Sequence, residues 1–95
     1  MNNVIWVTMI QLEVIGVEPP CFRCKETMQN TEKAASKLRE EGFQISVSKL
    51  NVMERSTMEK YGLVRTPALV LNGVIKIMGK VPDPGVVERI IRKEL

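Results

Sequence analysis

Hydrophobic and polar side chains alternate in two short stretches of the first half of the chain, and this period of two is typical of β-strands. The stretches are MIQLEVI at residues 9–15 and FQISVSKLN at residues 43–51. Between them the apolar positions recur every three to four residues, which predicts an amphipathic helix from about residue 21 to residue 41. Its inward face carries Cys24, Met28, Thr31, Ala35 and Leu38.

Two apolar runs in the second half, ALVL and VIKIM, are separated by Asn72-Gly73, which is the strongest short signal for a β-hairpin. The hairpin makes its two strands antiparallel, whereas a helical crossover between the first two strands favours parallel pairing. The sequence therefore predicts a mixed sheet of four strands.

Two further helices are indicated by capping signals. Ser56 and Glu59 have the spacing of a capping box, in a short helix expected within residues 52–61. Asp83 and Pro84 are typical of the first positions of a helix. One face of this last helix carries Val86, Val87, Ile90 and Ile91. The predicted fold class is α/β in the order β-α-β-α-β-β-α, with the mixed sheet flanked by three helices.

Length and composition are those of one small globular domain. The chain has 95 residues, of which 44% are hydrophobic and 26% charged, which is too short for two independently folding units and far from a disordered composition. The net charge of +3 is dispersed among acidic residues, and the aromatic residues do not alternate with a basic stripe, so we expect no nucleic-acid binding. Charges interrupt every apolar stretch, so we expect no membrane association.

The first eight residues stand apart from the domain predicted at 9–95. The opening MNNVIWVTMIQLEVIG lacks the basic start and the cleavage site of a signal peptide, so we read it as mature sequence and expect a cytoplasmic protein. Because the strand pattern is complete from Met9, residues 1–8 are predicted to be an N-terminal extension, with Met9 as an alternative start. The other interpretation is that VIWV lengthens the first strand or pairs with a partner chain.

The only cysteines, Cys21 and Cys24, form a Cys-x-x-C motif at the predicted start of the first helix. Free N–H groups and the helix dipole favour an anion there, and Arg23 and Lys25 add positive charge. We therefore expect Cys21 to be the nucleophile and Cys24, one turn along on the inward face, to be the resolving residue. Arg23 either tunes the thiolate or points into solvent and matches an acidic partner surface.

Other uses of the cysteine pair stay open from the residues alone. A structural disulfide across so short a loop would remove little chain entropy. A structural zinc site takes four Cys or His ligands, and the chain has two cysteines and no histidine, so neither a metal site nor a cofactor is expected. Two thiolates can bind Cu(I), and a soft-metal carrier is therefore the alternative function.

The element order, the Cys-x-x-C motif and Thr66-Pro67 before the terminal hairpin together resemble the thioredoxin-like superfamily. The segments SKLNV and KYGLVRTPALVLNG resemble the matching segments of thioredoxins. The compact length and IKIMGKV are most similar to the small archaeal and bacterial redox-active disulfide proteins, which are thioredoxin- and glutaredoxin-like. The resemblance covers nearly the whole chain from Met9.

The resemblance implies a dithiol-disulfide oxidoreductase that exchanges electrons between the cysteine pair and protein disulfides. It also implies that Pro67 is cis and packs against the active disulfide, while Thr66 offers backbone groups to an extended substrate. Phe22 and Val64 would then complete an apolar docking patch around Cys21. The implied partners are disulfide-containing proteins and an upstream disulfide reductase.

The chain also departs from the family. Thioredoxins carry a buried aspartate six residues before the first cysteine, where this chain has Ile15, and the lysine that faces this aspartate is matched by Lys49. Tuning of the cysteine pair by Lys49 is therefore a hypothesis of its own. Glu18, in the loop before the motif, is a candidate to replace the aspartate, whereas Glu13 lies two residues farther from the site along the strand. Pro20 replaces the tryptophan that commonly precedes the motif, and the glutathione-binding residues of glutaredoxins are not matched around MGKVPD.

Overall fold

A computed structural model describes residues 9–95, and its elements follow the order predicted from the sequence. The strands are β1 (Met9–Gly16), β2 (Gln44–Asn51), β3 (Ala68–Leu71) and β4 (Val74–Met78), and the helices are α1 (Phe22–Glu40), α2 (Arg55–Tyr61) and α3 (Pro84–Arg92). The predicted α/β fold is confirmed. The extension predicted at residues 1–8 lies outside the described residues. None of the helices within 9–95 has the length and apolar character needed to cross a membrane.

The sheet has the strand order β2-β1-β3-β4, with β1 parallel to β2 and antiparallel to β3. The hairpin between β3 and β4 turns at Asn72 and Gly73, whose φ angles of 48° and 84° are those that a tight hairpin turn requires. The side-chain oxygen of Asn72 also accepts a hydrogen bond of 2.8 Å from the backbone N–H of Gln11. The turn predicted from the dipeptide is therefore confirmed, and it is tied to the central strand.

Both faces of the sheet are covered by helices. On one face, Ile10, Leu12 and Val14 of β1 pack in the main core with buried residues of α1 and α3. On the other face Ile15 lies in a second cluster, against which Tyr61 of α2 packs. Successive residues of a strand point to opposite faces, so β1 contributes alternate residues to the main core and Ile15, near its end, to the second cluster.

The capping box predicted at Ser56 and Glu59 is wrong. Helix α2 begins at Arg55, so Ser56 already lies inside the helix, and Glu59 accepts a hydrogen bond from Arg55 at 3.2 Å. The reason is that Glu54 takes the N-cap position, after a turn in which the side chain of Asn51 accepts a hydrogen bond from the N–H of Met53, so Ser56 lies too far along the helix to cap it. At α3, by contrast, Asp83 and Pro84 take the predicted first positions.

The loop before α1 and the loop that carries Thr66-Pro67 lie at the same edge of the sheet. The parallel strands β1 and β2 both end at this edge. Strand β3 begins there, because Ala68 pairs with Ile15, and β4 ends there, because Met78 pairs with Ala68. The loop before α1 and the loop that carries Thr66-Pro67 are therefore brought together although they are far apart in the sequence.

Candidate active site

The two cysteines lie at the amino-terminal end of α1. Cys21 takes the N-cap position with an extended backbone, and its carbonyl oxygen accepts the N–H of Lys25 at 3.0 Å. Cys24, in the first turn, is buried with 3% of its surface exposed, whereas Cys21 is exposed. Both are free thiols whose sulfur atoms lie 3.3 Å apart. The site therefore has one accessible thiol and one sheltered thiol directly behind it.

The start of the helix lowers the pKa of the Cys21 thiol. The largest cause is the backbone N–H of Cys24, followed by the Cys24 thiol, and the backbone N–H of Arg23 acts in the same direction. Desolvation opposes these donors without outweighing them. N–H groups of a first helical turn have no partner within the helix and are available to an anion. Near neutral pH Cys21 is therefore richer in the nucleophilic thiolate than an ordinary cysteine.

Gly16, the last residue of β1, is a site residue that the sequence did not single out. A Cβ atom at this position would lie 3.0 Å from the sulfur of Cys24 and 3.1 Å from its Cβ. These distances are shorter than ordinary van der Waals contact, so any larger residue would require Cys24 or the strand to shift by a few tenths of an ångström. The available signal in the sequence is a glycine that directly follows the apolar stretch at residues 9–15, just before the cysteine loop.

A cavity of about 250 Å³ opens beside Cys24. Val14, Pro20 and Met28 contribute to its largely apolar wall, and Lys49 lies at the same cavity because it pairs with Val14 across β1 and β2. The ammonium of Lys49 lies 2.6 Å from the carboxylate of Glu18. The sheltered thiol therefore shares a cavity with the cationic member of an ion pair.

The acidic residues near the site have different partners. Glu18, in the loop before α1, binds Lys49, whereas Glu13 on β1 accepts a hydrogen bond from the hydroxyl of Tyr61. Ile15, six residues before Cys21, lies with Val52 in the second cluster and so on the sheet face opposite the cavity. The carboxylate associated with the cavity thus comes from a loop rather than from the strand.

The Thr66–Pro67 peptide bond is cis, as is the Glu18–Pro19 bond, which the sequence did not indicate. Pro67 is buried, and its carbonyl oxygen accepts the N–H of Gly79 at 2.9 Å. The next residue pairs with the end of β1, so Pro67 and the cysteines lie at the same edge of the sheet.

The two apolar residues predicted for a docking patch differ in exposure. Phe22 follows Cys21 directly and is 77% exposed, whereas Val64 is half-buried against the second cluster. Leu63, which the sequence analysis did not name, is 74% exposed in the same loop as Val64. Phe22 and Leu63 therefore offer more free apolar surface at this edge than Val64 does.

Arg23 has a partner that was not predicted. Its guanidinium donates a hydrogen bond of 2.7 Å to the carbonyl oxygen of Gly79, in the loop after β4. The causes of the lowered Cys21 pKa include the backbone N–H of Arg23 and not its side chain. The guanidinium is thus engaged with the protein rather than directed freely into solvent, and thiolate tuning by its charge stays a prediction.

Metal binding by a preformed cluster receives no support from the described part of the chain. Within residues 9–95 no three Cys, His, Asp or Glu side chains are grouped so that they could hold a metal ion. Binding of a soft ion would have to rely on the two sulfur atoms alone.

Comparison with known proteins agrees with this arrangement. A family model described as Thioredoxin domain matches residues 10–92. Two curated proteins, from Methanothermobacter thermautotrophicus and Methanothermobacter marburgensis, are each named Probable Thioredoxin and are 31% identical to the chain over 72 residues. Each match covers 75% of this chain and 80% of the relative.

Proposed function

Because the chain belongs to the thioredoxin family of redox thiol proteins, we propose that it is a dithiol-disulfide oxidoreductase that acts on protein disulfides. One observation carries this proposal: an exposed thiol with a lowered pKa lies 3.3 Å from a buried thiol at a helix start. Thiol-disulfide exchange needs a thiolate to attack and a second thiol to release the product, and the pair offers both.

In the proposed cycle the thiolate of Cys21 attacks one sulfur of a substrate disulfide. A mixed disulfide forms, and the other substrate sulfur leaves as a thiolate that takes up a proton. The Cys24 thiol loses its proton and attacks the Cys21 sulfur, which releases the second substrate thiol. The substrate gains two electrons and two protons, and the protein is left with a Cys21–Cys24 disulfide. An upstream disulfide reductase returns the two electrons and two protons.

Protein substrates would dock around the exposed thiol. Phe22, Val64 and Pro67 would supply apolar contact, and the backbone at Thr66 would bind an extended segment of the substrate. The location of these residues at one edge of the sheet supports this assignment. A cytoplasmic location, where such disulfides are kept reduced, is part of the same proposal.

The proposed activity is tested on the reduced wild-type protein. We expect it to accelerate the reduction of insulin by dithiothreitol, measured as turbidity when the freed chains precipitate. The alternative, a Cu(I) carrier using the same two thiols, predicts stoichiometric Cu(I) binding in competition with a chelator and no acceleration. Measuring both properties on one preparation distinguishes the two, and the absence of insulin reduction would contradict the oxidoreductase.

We also propose that Lys49 and Glu18 assist the second step. Cys24 must give up a proton when it attacks, and it is sheltered from bulk solvent. The cavity connects it with Lys49, whose ammonium favours a negative charge on the sulfur, while Glu18 can accept a proton at the other side of the ion pair. The ion pair is partly exposed, so it should affect the rate of the resolving step more than the free energy of unfolding of the protein.

Replacing Lys49 with methionine or Glu18 with glutamine is expected to slow the resolving step about three- to tenfold, less than a fully buried acid–base group would contribute. Dithiodipyridine reports each step, because the attack of Cys21 and the attack of Cys24 each release one coloured thione. The release of the second thione should slow more than the release of the first. Lys37→Met, which breaks the 3.2 Å ion pair between Lys37 of α1 and Glu88 of α3, is the control. Equal rates in all three variants would contradict the assignment.

A further inference from the structure

The loop between β4 and α3 is fastened to helix α1 by two side chains. Arg23 donates to the carbonyl oxygen of Gly79 at 2.7 Å, and Asn30 donates to the carbonyl oxygen of Pro82 at 3.0 Å. These two residues are seven positions apart and therefore share a face of the helix. The carbonyl oxygen of Arg23 in turn accepts the hydroxyl of the buried Thr27 at 2.9 Å, which fixes the helix turn that carries the guanidinium.

Gly79 is the point at which this fastening reaches the second half of the site. Its N–H donates to the carbonyl oxygen of Pro67 at 2.9 Å, while its own carbonyl receives the guanidinium of Arg23. The φ angle of 76° at Gly79 is left-handed and suits glycine, and it lets the two peptide groups face different partners. A continuous chain of hydrogen bonds thus runs from the helix of the cysteines through Gly79 to the Thr66-Pro67 segment.

The hydrogen bonds connect two parts that must act on one substrate. The attacking sulfur belongs to α1, and the proposed backbone docking group belongs to the segment before β3. Their spacing decides whether a docked disulfide lies in line with the Cys21 sulfur, and small errors in such spacing lower rates strongly. A contact that spans both parts therefore affects protein substrates, which use both, more than small disulfides, which use only the sulfur.

We propose that Arg23 is a positioning residue for protein substrates, which holds the Thr66-Pro67 segment in register with Cys21 through Gly79. The inference rests on the proposed oxidoreductase function. It identifies Arg23 as the residue that sets the position of a docked protein substrate relative to Cys21. Tuning of the thiolate by the charge of Arg23 is a different role, and so is attraction of an acidic partner. Each of these roles predicts a different response in the experiment below.

The test compares Arg23→Ala with Asn30→Ala, which removes the other fastening of the same loop. With insulin, Arg23→Ala is expected to raise KM about three- to tenfold, the size expected from the loss of one ordinary hydrogen bond at an exposed site, whereas Asn30→Ala should leave KM within about twofold. With dithiodipyridine, a small neutral disulfide, the first thione should be released at a similar rate in both variants. Arg23→Lys should recover part of the loss, because the ammonium can donate to the same carbonyl.

Three results would overturn the inference. Equal KM values for Arg23→Ala and Asn30→Ala would assign Arg23 a merely structural role. A slower first release from dithiodipyridine, with a raised Cys21 pKa, would mean thiolate tuning. A KM difference that disappears at high salt would mean attraction to an acidic partner, because salt screens exposed charges much more than it weakens a hydrogen-bonded contact.

Failure of the proposed function would look different. If the wild-type protein does not reduce insulin, the oxidoreductase proposal is wrong, and with it the role of Arg23 toward substrates. The hydrogen-bond chain has its own readout in that case. Hydrogen exchange of the Gly79 amide should be faster in Arg23→Ala than in Asn30→Ala, because only the first variant releases Gly79 from α1. Equal exchange rates would overturn the connection itself.

Discussion

Replacing Cys21 with serine is expected to reduce the rate of insulin reduction by at least about a thousandfold, because a hydroxyl at neutral pH does not supply the anionic nucleophile that a thiol with a lowered pKa does. Replacing Cys24 with serine leaves the attacking group in place and removes the resolving group. This second variant is expected to stop after the first step and to accumulate a mixed disulfide with the substrate. Mass spectrometry of the intact protein detects that adduct, and reduction with dithiothreitol should release it.

The pH dependence of the first step provides a control for this assignment. Because the pKa of Cys21 is lowered, its thiolate persists as the pH falls below the range in which a free cysteine, with a pKa of about 8.5, is ionised. The rate of attack on dithiodipyridine should therefore decline at a lower pH than for a free thiol. Cys24→Ala should keep a lowered pKa at Cys21, since the largest cause is the backbone N–H of Cys24, and should lose only the contribution of the Cys24 thiol. A profile like that of free cysteine, or full activity of Cys21→Ser, would contradict the role of Cys21.

Much of the fold could be predicted because its signals are local. A period of two or of three to four residues marks β1, α1 and β2, and the Asn72-Gly73 turn determines how β3 meets β4. The error at Ser56 and Glu59 has the same origin. The spacing of Ser56 and Glu59 indicated a capping box, but Glu54 is the N-cap and the helix begins at Arg55, before Ser56.

The candidate site could be predicted only in part, because its partners come from distant parts of the chain. Cys-x-x-C and Thr66-Pro67 are visible as short motifs. The hydrogen bond from Arg23 to Gly79 and the ion pair between Lys49 and Glu18 depend on which loops meet at one edge of the sheet. Strand order and register determine that meeting, and no local pattern records the final distances between side chains.

Gly16→Ala is expected to destabilise the protein although alanine is usually tolerated better than glycine in a folded chain. The added methyl group would lie 3.0 Å from the sulfur of Cys24, so either α1 moves away from β1 or the Cys24 side chain rotates. Overpacking of this kind costs about 1–3 kcal/mol, which urea unfolding would measure as a lower free energy of unfolding. The displaced sulfur should also attack the mixed disulfide more slowly, so the second release from dithiodipyridine should lag behind the first.

Gly85→Ala is the matched control for this last prediction. A Cβ atom at Gly85, in the first turn of α3, would meet no other atom within 4 Å. The same substitution there should stabilise the protein by about 0.4–1 kcal/mol, because it only restricts the unfolded chain. The two variants are therefore expected to change the free energy of unfolding in opposite directions, and only Gly16→Ala should slow resolution. If Gly16→Ala behaved like Gly85→Ala in both measurements, the close contact between β1 and Cys24 would not determine the position of the resolving thiol.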